Sequence, residues 1–168
     1  MGTSRLSDTS YAVLGLLDLF EPATPYQLKQ IAQVSIFHFW SIPHTQLYTE
    51  CARLADAGLL DERREESGRR RRVYRLSAAG RRALRGWRAD PDTDVYELRD
   101  PGLLKLFCGA DPASLAETQL GLHERRLHSF EELRRQADMS EGMRLALESG
   151  IGHEREYVRF WSRLRDGA

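Results

Sequence analysis

Six arginines stand between positions 63 and 72, namely Arg63, Arg64, Arg69, Arg70, Arg71 and Arg72. Each carries a planar guanidinium that forks onto a phosphate or a guanine edge. Some twenty residues earlier, Ser41, His44, Thr45, Gln46, Tyr48, Thr49 and Arg53 supply short polar and longer hydrogen-bonding side chains within 13 positions. Together these groups suit a polyanion held by its backbone and read at its base edges. Cations neutralise phosphates whatever the sequence, whereas an amide such as Gln46 can pair with an adenine edge. Tyr26 and Lys29 add a hydroxyl and an ammonium suited to the same backbone. Catalytic patterns are absent. His38, His44, His123, His128 and His153 are scattered with no H-E-x-x-H spacing, and neither Cys51 nor Cys108 has a neighbouring partner that would mark a nucleophile. The chain reads as no enzyme, with no cofactor and no dedicated metal site; His123 and His128 as ligands of a metal-sensing regulator are the alternative.

Local structure must hold these side chains in place. Ser7, Asp8, Thr9 and Ser10 offer capping oxygens before Tyr11 to Phe20, where Val13, Leu14, Leu17 and Phe20 share one side of a helix. Glu21-Pro22 ends it, and Thr24-Pro25 opens a second helix with Tyr26, Leu28, Ile31 and Ala32 at helical spacing. The link Phe37 to Pro43 leads to a third helix from about His44 to Ala57. Its inward stripe is Leu47, Cys51 and Leu54, which leaves the polar set facing out, and Gly58 is placed to stop it. Leu59-Leu60 begins a strand, Glu65 to Gly68 is the turn, and Arg70 to Leu76 returns with Tyr74 and Leu76 on one face. Alternation divides the arginines between two faces, so half of them can meet one backbone. Ser77 caps a fourth helix with Gly80, Leu84 and Trp87 on one side. Three helices, a basic hairpin and a closing helix describe a winged helix-turn-helix, with the third helix in the major groove and the hairpin as wing.

The expected fold class is mainly α with a small β-hairpin, in two domains. Residues 1–89 form the winged helix-turn-helix, 90–95 are a polar, proline-containing linker, and 96–168 are a helical dimerisation domain. Beyond Leu98 to Phe107, one helix runs from Asp111-Pro112 to about Asp138 and a last one from Ser140-Glu141 to about Arg165. Leu120, Leu127, Phe130, Ile151, Val158 and Trp161 belong to apolar faces wider than one seam, which a pair of helices cannot bury against itself, so a second subunit is expected. The two halves differ in charge. Residues 1–89 carry 14 Lys+Arg against 9 Asp+Glu, and residues 90–168 carry 11 against 16, so overall neutrality conceals a basic and an acidic half. No apolar run approaches the roughly 20 residues that span a bilayer, and the first residues carry no secretory pattern, so the expected address is cytoplasmic.

The motifs as a set resemble the PadR family of transcriptional regulators. They are Tyr11 to Leu17 of the first helix; Pro25-Tyr26-Gln27-Leu28, with Pro25 where many members have glycine; Phe39-Trp40; Leu47-Tyr48, Arg53-Leu54 and Gly58-Leu59; and Gly68, Arg69, Arg70, Tyr74, Leu76, Ser77 and Gly80 of the wing. Tyr96 to Phe107, Gly150-Ile151 and Tyr157 to Trp161 resemble the longer, AphA-type members. The resemblance implies a homodimer on a near-palindromic operator in double-stranded DNA, acting more often as repressor than activator. It also implies control by a small molecule or a partner; a small aromatic effector, as some relatives bind, has Phe39, Trp40, Trp87 and Trp161 as its candidate pocket. The alternative from another class is a protein-interaction or scaffold module whose acidic helical half is the active surface.

Overall fold

The computed structural model describes residues 6–36, 38–64, 71–136 and 138–167. Among these are seven helices and one two-stranded antiparallel hairpin, the mainly α architecture expected from the sequence. The chain divides into two compact units, Met1–Thr93 and Asp94–Ala168. Phe37, the turn Glu65 to Gly68, and Arg69 and Arg70 lie outside the described residues.

In the first unit the order is α1 (Asp8–Phe20), α2 (Pro25–Val34), α3 (His44–Asp56), β1 (Leu60–Arg64), β2 (Arg72–Leu76) and α4 (Ala78–Ala89). Side-chain caps set several of the starts. The Ser7 hydroxyl oxygen accepts from the Ser10 N–H, and Thr24 and Gln27 form a reciprocal capping box at 2.9 and 3.2 Å ahead of Pro25. At the end of α3, Gly58 adopts a left-handed φ of 72°, and the Leu59 N–H reaches the Leu54 carbonyl at 2.9 Å. The helical periodicity then packs Val13, Leu14 and Leu17 of α1, Leu28 and Ala32 of α2, and Leu47, Cys51 and Leu54 of α3 into one core with no exposed surface. Leu60, Tyr74 and Leu76 root the hairpin in that core. Ala23, in the link between α1 and α2, pairs with Tyr74 through backbone bonds of 3.1 and 2.9 Å, which fixes the hairpin beside α2.

Helix α4 is joined to the hairpin base and to α1. Ser77 caps α4, donates its hydroxyl to the Gly58 carbonyl at 2.7 Å and its N–H to the Leu59 carbonyl at 3.1 Å. Gly80 lies so close to this turn that a Cβ would stand 2.1 Å from the Leu59 carbonyl oxygen, a contact that only glycine permits. Arg81 and Arg88 reach Asp18 at 3.3 and 2.8 Å; Arg81 also pairs with Glu21, whose other oxygen accepts from the Leu76 N–H at 2.6 Å. Trp87 stacks on Tyr11 with ring centroids 4.8 Å apart.

The second unit holds α5 (Pro101–Phe107), α6 (Pro112–Gln136) and α7 (Glu141–Arg165). Asp100 caps α5 through the Gly102 and Leu103 N–H groups at 2.7 and 3.0 Å, and Ser140 caps α7. α6 and α7 run antiparallel, with cross-helix pairs Glu131–Arg155 at 2.6 Å and Arg134–Glu148 at 3.4 Å. Their seam closes over Ala116, Leu120 and Trp161, with Leu103 and Leu106 of α5 packed against them. Leu120, Ile151 and Trp161 are buried within their own chain, Leu120 and Trp161 in the seam that α5 helps to close. Leu127, Phe130 and Val158 are half-buried. Exposed instead are Leu104 and Phe107 on the outer side of α5, and Leu122 and Leu145. His123 joins α6 to α7. Its Nδ1 lies 2.6 Å from the buried Glu154 carboxylate, which Arg126 also approaches at 3.5 Å. Among the described residues no three His, Cys, Asp or Glu side chains could hold a metal ion, and no helix is long and apolar enough to cross a membrane.

Candidate nucleic-acid interface

α3 sorts its side chains by the helical repeat. Leu47, Glu50, Cys51 and Leu54 turn inward, while His44, Thr45, Gln46, Tyr48 and Thr49 are exposed along the opposite side, as is Ser41 in the preceding link. Pro43 precedes the helix and no side chain caps it, so the first-turn N–H groups are left to other acceptors. The His44 ring tilts over Tyr48 at 4.8 Å. Thr49 donates its hydroxyl hydrogen back to the Thr45 and Gln46 carbonyls at 3.2 and 3.0 Å, which leaves its methyl group and oxygen lone pairs to face outward. On α2, Tyr26 is exposed and Lys29 half-buried.

Thr24, Pro25 and Tyr26 at the start of α2, Tyr48, Thr49 and Ala52 of α3, and Arg71, Arg72 and Tyr74 beside them line an open groove of about 820 Å³. The hairpin register explains how the arginines reach it. Leu60 pairs with Leu76, Glu62 with Tyr74, and Arg64 with Arg72, so one face of the ribbon climbs from core to carboxylate to guanidinium pair, while Arg63 pairs with Val73 on the other. On the first face Glu62 accepts from the Tyr74 hydroxyl at 3.2 Å and lies 3.5 Å from Arg72 and 3.6 Å from Arg64. Burial pushes the Tyr74 phenol above its ordinary range against the opposing hydrogen bond from Arg72, with the Glu62 carboxylate adding to the rise. Sequence reasoning passed over Glu62 and Ala52. The period-two spacing Leu60, Glu62, Arg64 was the available signal for the first; nothing local marks the second.

Arg53 stands apart from the other members of the α3 set. Its guanidinium forks onto Glu50 at 2.6 and 2.9 Å and donates to the Ser10 hydroxyl at 2.9 Å, tying α3 to α1. The hydrogen bonds from Arg53 hold the Glu50 carboxyl below its ordinary value against the opposing effect of burial, and the Glu50 carboxylate raises Arg53 in turn. Behind them burial pushes the Cys51 thiol up to about 12. Of the aromatic residues expected to form an effector pocket, Phe39, Trp40 and Trp87 belong to the first unit and are exposed. Trp161 belongs to the second, where it is buried with its indole N–H lacking an acceptor among the described residues.

Comparison with known proteins bears on this arrangement. The negative transcriptional regulator PadR of Bacillus subtilis is 26% identical over 165 residues, covering 88% of this chain and 90% of its own. Its crystal structure in complex with operator DNA superposes with a TM-score of 0.83 at 21% identity, over 98% of this chain and all of that one. Its complex with p-coumaric acid gives 0.75 at 23% identity, over 95% and 98% of the two chains. The Vibrio cholerae virulence activator AphA gives 0.67 at 22% identity, over 94% and 96%. Those likenesses establish the winged-helix regulator fold, and residues 13–86 match the transcriptional regulator PadR-like family. Residues 13–86 are a PadR-like transcriptional-regulator domain.

Proposed function

We propose that this chain is a cytoplasmic transcriptional regulator that acts as a homodimer on a near-palindromic operator, as a repressor. The observation that carries this reading is the groove, where the start of α2, the exposed side of α3 and the wing arginines converge. Gln46, with His44, Thr45 and Thr49, reads base edges from the major groove; Tyr26, Lys29, Ser41, Tyr48 and half of the six wing arginines, Arg71 and Arg72 of the groove and Arg64 opposite Arg72 among them, hold the backbone. Arg53 we assign to the Glu50 and Ser10 clamp instead of to DNA. The relative's operator complex supports the same assignment for the first unit, and its description as a negative regulator supports repression.

In this reading residues 1–89 are the DNA-binding domain, 90–95 the linker and 96–168 the dimerisation domain. Half-buried Leu127, Phe130 and Val158, with exposed Leu104, Phe107, Leu122 and Leu145, supply the subunit interface. Two domains in one dimer then hold their α3 helices about 34–36 Å apart, one turn of duplex. A small aromatic acid such as the relative's p-coumaric acid is the proposed effector, and the indole N–H of Trp161, without an acceptor among the described residues, is its best-suited donor among the four aromatic candidates.

The test is a salt-titrated binding measurement on the region upstream of the protein's own gene and on a shuffled duplex of equal length. Tight, sequence-selective binding with a steep salt dependence is the expected result, together with a dimer by light scattering. Equal affinity for both duplexes, or a monomer at micromolar concentration, overturns the reading. In that case the acidic second unit as a protein-interaction surface takes its place.

A further inference from the structure

The wing carries its own anion. We propose that Glu62 is an internal counter-ion that competes with DNA phosphate for Arg64 and Arg72, and so limits the wing's affinity for DNA of any sequence. The inference rests on the DNA-binding reading above.

Three donors converge on this one carboxylate: the Tyr74 hydroxyl at 3.2 Å, an Arg72 guanidinium nitrogen at 3.5 Å and Arg64 Nε at 3.6 Å. Two arginines directly opposite each other across a hairpin would repel, and Glu62, one pair closer to the core on the same face, offsets that. The contacts are unequal. Tyr74 is 1% exposed and cannot follow the solvent, so it tethers the carboxylate from below. The arginines above keep 49% and 62% of their side-chain surface, and at these distances each retains N–H groups for a second acceptor. Arg72 also lines the groove beside Tyr48 and Thr49, where a duplex backbone would lie.

A phosphate entering there meets a guanidinium already partly neutralised, and it meets Glu62 as a fixed like charge. Phosphate contacts form on every sequence, whereas base contacts form only on the operator. An internal competitor for the arginines therefore lowers non-specific and specific affinity by the same factor and leaves base selection alone. The opposite role, in which Glu62 arranges the arginines for phosphate, predicts the opposite sign for its removal.

The experiment compares Glu62→Gln with the parent protein by fluorescence anisotropy over a KCl series, on the upstream and shuffled duplexes. Glutamine keeps the shape and an acceptor for Tyr74. Where its melting curve shows a folding defect, Glu62→Thr, a strand former, replaces it. The expected result is about two- to fivefold tighter binding per protomer to both duplexes, from the size of an exposed ion pair. The ratio between the two duplexes stays constant, and the log–log salt slope steepens by up to about 0.9 for each arginine that moves from Glu62 to phosphate. In an Arg64→Gln, Arg72→Gln background the gain disappears. Equal or weaker binding by the Glu62 variant, or a gain that persists without both arginines, overturns the proposal. If the parent protein shows no salt-dependent binding to either duplex, the DNA-binding reading itself has failed, which is seen before any variant is compared.

Discussion

Replacing Arg53 with methionine separates two roles that its position in α3 confounds, phosphate ligand and internal clamp. Methionine keeps the length and helix propensity but removes the bonds to Glu50 at 2.6 and 2.9 Å and to Ser10 at 2.9 Å. Breaking a buried pair costs about 3–5 kcal/mol and an exposed one about 0.2–1 kcal/mol. Here the Glu50 side chain is 11% exposed and that of Arg53 52%, so water screens one partner and not the other. The clamp therefore contributes about 1–2 kcal/mol, between those limits. Its pH dependence has a definite sign. Glu50 is held below its ordinary 4.5, so the stabilisation is complete above that value and disappears as pH falls through the depressed one. The deficit of Arg53→Met is thus largest near neutrality and shrinks in acid, where the stranded carboxylate protonates. Urea unfolding followed by tryptophan fluorescence at the two pH values measures it, with Arg53→Lys falling between because an ammonium cannot fork. DNA affinity of the folded variant and its salt slope stay as in the parent. Unchanged stability with a slope shallower by about 0.9 would refute this and make Arg53 a phosphate ligand.

Gln46→Ala is expected to lose about 1–3 kcal/mol of discrimination at a single operator base pair and nothing on shuffled DNA, as measured by competition with single-base variants of the site. Arg71→Gln weakens binding to every duplex alike and reduces the salt slope by about 0.9, a pattern that a base-reading residue would not give. A thiol reagent at neutral pH modifies exposed Cys108 while Cys51, buried and with its thiol pushed up to about 12, reacts only after denaturation; mass spectrometry should find one adduct per native chain. Phe107→Ser, at a position 89% exposed, leaves the melting curve of a dilute sample unchanged and raises the dimer dissociation constant seen by sedimentation.

Much of the first unit was legible because its signals are local. Thr24-Pro25 announces a helix start, Gly58 a stop, and the spacing of Leu47, Cys51 and Leu54 separates the inner side of α3 from the outer. The partners of Arg53 and His123 were not, since Ser10 lies 43 residues from one and Glu154 31 from the other. Helix α5 was read only as a segment from Leu98, although Asp100-Pro101 holds a cap and a first-turn proline. The stripes on α6 and α7 were visible as apolar, but periodicity does not say what covers a stripe. Leu120 and Trp161 are covered by their own chain with the help of α5, and the exposed apolar side chains lie elsewhere.

The seating of Gly80 against the Leu59 carbonyl has a mechanical consequence. With Ser77 bound to the hairpin base and Arg81, Arg88 and Trp87 bound to α1, the last helix of the unit cannot slide without carrying both along. α4 is also where the chain leaves for residues 90–168. A torque applied at Ala89 therefore turns α4, α1 and the base of the hairpin together.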